Sequence, residues 1–252
     1  MNQCMSLVVA ALLFGSFSLS APALAAGLDR DGLLTEAPAT PDTGNIRISG
    51  GGEGQVAGGA AGTVNANVMW TPVEHLAGDV SGYFLSEGTF GPSARVRYQV
   101  LNQVSHGVDL ALGTRYKWIG FTLNPNVGPH RGELELLVAV GRKLGPIDLI
   151  LNAVLGFEVG ENGKDGEVKA LAGYRLSDAL RIGVDARVQA EFQDPTGVRV
   201  PNFTNDVAIA AGPTASWLVT PKMEVQALAG TFKGRGDPVP GFGGQLLLSV
   251  DL

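Results

Sequence analysis

Cysteine is almost absent from this chain: Cys4 is the only one. Beyond residue 4 no internal disulfide can form and no thiol is available for catalysis. Histidine is nearly as scarce, with His75, His106 and His130 far apart in the sequence. That leaves little material for imidazole catalysis or a metal centre. Charge is sparse at 17% of residues, yet the formal net charge is −6. An acidic balance opposes a polyanionic partner, so no nucleic acid is expected. Long apolar runs are missing too. The one such stretch, Leu7 to Phe17, is short for a spanning helix. It precedes Ala23-Leu24-Ala25, an A-x-A site before Ala26. Residues 1–25 therefore read as an export signal that lacks the usual leading Lys or Arg. A retained anchor is the alternative. Cys4 lies too early to be a lipoprotein acceptor. Residues 26–43 are rich in Ala, Pro, Asp and Thr, have no period, and read as a flexible periplasmic lead-in.

What the chain does contain is alternation. In 167–176 Val168, Ala170, Ala172, Tyr174 and Leu176 share one face, and Glu167, Lys169 and Arg175 fall on the other. In 181–191 the pattern repeats, with Ile182, Val184, Ala186, Val188 and Ala190 opposite Arg181, Asp185, Arg187, Gln189 and Glu191. A period of two is the strand period. Runs of about 10 residues match a tilted strand crossing a bilayer. Twelve such strands are expected between 44 and 252, and Pro213 predicts a bulge in the tenth. The links alternate in length. Gly/Pro/Asn-rich links such as 50–61 and 193–204 follow odd strands, and short ones such as 143–146 and 177–180 follow even strands. On the apolar parity, Trp70, Tyr174 and Trp217 fall at short-link ends and Trp118 at a long-link end. These positions suit aromatic girdles at two membrane interfaces.

The pattern over 44–252 resembles bacterial outer-membrane β-barrel proteins. The resemblance implies an all-β fold, an up-and-down antiparallel transmembrane β-barrel of about 12 strands. It also implies a place in the bacterial outer membrane, with the lipid bilayer and the barrel-assembly machinery as partners. The chain departs from the family at its end, QLLLSVDL, where the last residue is aliphatic rather than aromatic.

The polar parity then faces a lumen. Arg95, Arg97, Arg115 and Lys117 form a basic group, placed by the sequence in the outer halves of adjacent strands. Glu133 and Glu135 should lie across from Arg115 and Lys117. Lys169 and Arg187 should lie near Asp185 and Glu167. Such charges either neutralise one another in a filled lumen or line a water path that selects solutes. Barrel size does not decide, because this one falls between filled small barrels and wide porins.

Other motifs lead nowhere. No inward His faces a Ser, so no catalytic residues are expected and no enzyme is predicted. The segment 161–167 (ENGKDGE) lacks the ligand spacing of a calcium loop and reads as a solvated turn. The glycine cluster 50–61 precedes no Lys-Ser/Thr pair. Asn202-Phe203-Thr204 matches a glycosylation sequon by chance. No metal site and no cofactor follow. Three roles stay open: a narrow channel for ions or small polar solutes, a non-conducting structural or surface-interaction barrel, and a membrane-embedded enzyme. A soluble periplasmic β-protein is the alternative to all three.

Overall fold

A computed structural model describes residue 28 and residues 30–55, 61–85, 89–119, 121–122, 131–194, 196–198, 207–234 and 239–252. The predicted export signal, His130 and the sequon at 202–204 lie outside the described residues. The strands are β1 (Ile46–Gln55), β2 (Ala61–Val73), β3 (Leu76–Leu85), β4 (Thr89–Leu101) and β5 (Asp109–Ile119). They continue as β6 (Phe121–Thr122), β7 (Arg131–Leu144), β8 (Ile147–Val159), β9 (Lys164–Arg175) and β10 (Leu180–Gln193). The last three are β11 (Val207–Thr220), β12 (Met223–Lys233) and β13 (Gly241–Asp251). A single helical turn, α1 (Gln103–His106), closes the β4–β5 link, capped by the Asn102 side chain.

Every pairing is antiparallel, each long strand pairs with the next long strand in the chain, and β1 returns to β13 to close the ring. The two-residue β6 pairs with the start of β4 and extends β5 with a one-residue slip. Thirteen segments thus make a closed barrel of twelve strands. Closure removes every exposed sheet edge, which a bilayer demands because it offers no water to unpaired backbone.

The strands are longer than the alternation predicted. Gly50 to Gln55 belong to β1 rather than to a link. A side chain on Gly51 would collide with the Leu246 carbonyl, so this glycine lets β1 and β13 approach closely at the seam. The expected bulge at Pro213 is absent. Asp185–Gly212, Val184–Pro213 and Gly183–Thr214 pair in one unbroken register. Pairing with β12 lapses at Gly212 and Pro213 and resumes in the same register, so the missing proline donor costs no slip. Shifts occur instead at Trp70/Val73, Gln99/Leu101, Glu191/Gln193 and Leu218/Thr220. Of the 161–167 segment, Lys164 to Glu167 are strand, and the turn is confined to the residues before them.

The barrel is inside-out compared with a water-soluble fold. Val68, Val80, Leu136, Leu151, Val184 and Leu246 are exposed. The largest fully buried side chains include Arg97, Glu224, Asn152, Asp148 and Asp185. Trp70, Tyr174 and Trp217 stand outward beside short links, paired in register with Ile46, Ile147 and Leu180. Trp118 stands outward at the long-link rim opposite Gly132, edge-on to Tyr116 at 4.6 Å.

Candidate functional site: a plugged lumen

The segment before β1 does not trail away from the barrel. Leu28 and Ala39 lie together beside Ile150, and the apex, residues 31–36, reaches mid-lumen beside Asn152, Lys169 and Asp185. The composition of 26–43 suggested a flexible lead-in; of that stretch, the described residues from 30 to 40 lie against the inner wall of the barrel. The segment needs no strand period, because wall side chains rather than a ladder hold its backbone. At the rim the Gly44 amide donates to the Thr71 carbonyl (2.7 Å). The Ala39 amide donates to the Leu28 carbonyl (3.3 Å). Inside, Gln226 donates to the Asp31 carbonyl (2.9 Å) and Asp185 accepts from the Leu34 amide (2.9 Å). Arg97 donates to the Ala37 carbonyl (2.7 Å), and Gln99 accepts from the Thr40 amide (3.0 Å).

Apolar contacts add to these bonds. Leu34 packs with Ala210, Leu228 and Phe232. Leu28 packs with Ile150 and Leu171. Gly141 clears space for Pro38, since a Cβ there would collide with the proline ring. These wall residues carry the inward parity, so the apolar breaks in the polar face are the seat of the segment. Sequence reasoning missed this site. The available signal was a cluster of inward Leu, Ile, Val and Phe that a water-filled lumen does not need.

The predicted lumen residues fall into place as follows. Register sets Arg115 against Glu135 and Lys117 against Glu133. Arg115 reaches Glu135 at 3.0 Å, and Lys117 bonds Glu135 and lies 3.8 Å from Glu133. Lys169 lies 3.1 Å from Glu167, and Arg187 lies 3.4 Å from it. Asp185 turns to the Leu34 amide instead of pairing with Lys169 or Arg187. Arg97 sits in the half of β4 nearer the short-link rim, not the outer half. Arg95 and Arg97 do not meet Glu133 or Glu135. Their partners are Asp79 and Asp31: Arg95 lies 2.6 Å from each, and Arg97 lies 3.1 Å from Asp31.

Two segment carboxylates thus enter the basic group. Asp31 bridges Arg95 and Arg97 on β4. Glu36 bridges Arg115 on β5 (2.6 Å) and Lys169 on β9 (2.7 Å). Depth in the barrel pushes the Asp31 carboxyl up, but Arg95, Arg97 and the Ala37 amide hold it well below the usual carboxylate range. Burial raises Glu36 in the same way, and Lys169, Arg115 and Arg95 bring it down to about 2. Near the rim, Arg30 pairs with Asp251 (2.5 Å) and Glu224 (3.4 Å). Breaking one side of a buried pair costs about 3–5 kcal/mol. A cavity of about 520 Å³ lies over the apex and along the side of the segment that faces β1, β2, β12 and β13. Its floor is the segment, and Ser49, Asn67, Ser81, Ser93, Lys117 and Gln245 are among its walls.

A closed antiparallel barrel, apolar and aromatic outside and charged inside, is a transmembrane β-barrel of the kind found in bacterial outer membranes. No family model matches the sequence, and no curated protein sequence matches it. Solved structures do match. An outer membrane channel from Pseudomonas putida F1 superposes with a TM-score of 0.59 at 13% identity, covering 85% of this chain and 97% of that one. The NanC porin gives 0.59 at 9% identity, covering 82% and 100%. The KdgM porin gives 0.57 at 8% identity, covering 82% and 99%. At these identities the likeness is one of fold.

Proposed function

We propose that this protein is an outer-membrane channel for ions or small polar solutes whose lumen is closed at rest by its own residues 30–40. The observation that carries this reading is the polar cavity of about 520 Å³ standing on a floor held by side chains rather than by strand pairing. A floor of that kind can leave without unzipping the barrel. The channel function of the Pseudomonas putida neighbour and the porin names of the other two agree with this role.

The second reading is a non-conducting structural barrel. The ion pairs of Asp31 and Glu36 and the apolar seat of Leu28 and Leu34 favour it, since they fill the lumen as a core would. Planar-bilayer recording of the full mature chain and of a chain lacking 26–40 separates the two. A channel gains conductance on truncation. A structural barrel stays silent in both forms.

An enzyme is not proposed. His75 and His106 sit in short links at the rim, and neither faces an inward Ser. Export through residues 1–25 and insertion by the barrel-assembly machinery belong to the same proposal. An intact mass beginning at Ala26 checks the first.

A further inference from the structure

Four wall cations are arranged in two pairs around the apex of the segment, and each pair holds one carboxylate that the wall does not supply. Asp31 joins Arg95 and Arg97, and Glu36 joins Arg115 and Lys169. Three of the four also have wall carboxylates: Asp79 for Arg95, Glu135 for Arg115 and Glu167 for Lys169. Arg97 differs. It is only 1% exposed, and its other bonded neighbours are the Ala37 carbonyl and the Met69 sulfur. When the segment leaves, Arg97 loses both its carboxylate and its carbonyl. Asp79 is then the wall carboxylate left in electrostatic range of Arg97, and the guanidinium opens to the lumen with donors free to take another anion.

We infer that Asp31 and Glu36 stand in for a solute, and that the Arg95/Arg97 and Arg115/Lys169 pairs form a binding site for a flexible dicarboxylate. This inference rests on the channel reading, because only a movable segment exposes the site. Two features select the ligand class. Guanidinium forks and an ammonium recognise carboxylate oxygens. Two cation pairs, Arg95 with Arg97 on β4 and Arg115 on β5 with Lys169 on β9, reward two charges on one molecule over one charge on each of two. The segment and the solute compete for the same donors, so the segment sets the apparent affinity.

Isothermal titration in detergent with adipate, and with propionate as the single-carboxylate control, tests the site. The barrel lacking 26–40 should bind adipate at least tenfold more tightly than the full mature chain does. It should bind propionate at least tenfold more weakly than adipate. Arg97→Gln with Lys169→Gln in the truncated barrel should abolish adipate binding. Equal affinity in the full and truncated forms, equal affinity for the two acids, or no binding to a folded truncated barrel overturns the inference. If truncation prevents folding, the full chain carrying Asp31→Asn and Glu36→Gln takes its place. It should bind adipate more tightly than the unaltered chain, and no gain overturns the inference. Conductance is read separately. A truncated barrel that conducts but ignores adipate sinks the site and leaves the channel. One that binds adipate without conducting sinks the channel reading.

Discussion

Asn152 holds the backbone of Glu36 through the two peptide groups that flank it. Its Oδ1 accepts from the Glu36 amide at 2.8 Å, and its Nδ2 donates to the Glu36 carbonyl at 2.9 Å. A strand neighbour would bond a residue in this way, but here one side chain on β8 does it at mid-lumen. Asn152→Ala removes both bonds. At about 0.5–1.5 kcal/mol net for each, opening of the segment should become about fivefold to a hundredfold more frequent. Hydrogen exchange at residues 30–40 reads this directly. Exchange unchanged from the parent would mean the segment is held elsewhere.

Acid should loosen the same apex. The folded-state values of Asp31 and Glu36 lie below those of the unfolded chain, so their stabilisation is complete above the ordinary carboxyl value of about 4. It is lost as pH falls through the folded values, for Glu36 about 2. A nitroxide on Thr40→Cys should be immobile at pH 7 and gain mobility between about pH 4 and pH 2. With Asp31→Asn and Glu36→Gln the label should be mobile already at pH 7. A label insensitive to both changes contradicts the role given to the two carboxylates.

Gly141→Leu should expel the segment by bulk alone. The new side chain would occupy the place of Pro38 and crowd Leu28. The outer face is untouched, so barrel stability to heat should change little while residues 30–40 lose exchange protection. A cooperative loss of the whole barrel would mean the segment is part of its core.

The two faces of β10 should respond oppositely to charge. Val184 is exposed on the outer face and pairs with Ala172 and Pro213. Val184→Arg should cost about 2–4 kcal/mol in a bilayer. Gln189 faces inward and bonds Asp165 (2.5 Å). Gln189→Arg should be far milder, because it places a cation beside that carboxylate. Equilibrium unfolding in lipid vesicles compares them, and equal costs would reverse the faces.

How much of this was legible in the sequence follows from which forces leave a period. Strand faces do, since each side chain alternates between lipid and lumen. The twelve strands, the outward Trp70, Trp118, Tyr174 and Trp217, and the Arg115–Glu135 pairing all follow from parity. The segment does not, because its backbone bonds to Gln99, Asn152, Asp185 and Gln226, residues far from it in sequence with no required spacing. Two marks were present. Leu137, Ile150, Val154, Leu171 and Phe232 carry the wrong polarity for a wet lumen. Arg97 has no wall carboxylate opposite it in register, since Ala77 and Gly113 are its partners. Pro213 misled because pairing with β12 lapses at Gly212 and Pro213 and resumes in the same register, so the proline needs no bulge.

The most direct measurement is single-channel conductance of the full mature chain beside the chain lacking residues 26–40, in the same bilayer and salt. A lumen closed by its own N-terminal segment predicts little or no current from the first and steady, resolvable openings from the second. Silence from a folded, inserted, truncated barrel would contradict it, as would identical conductance from both.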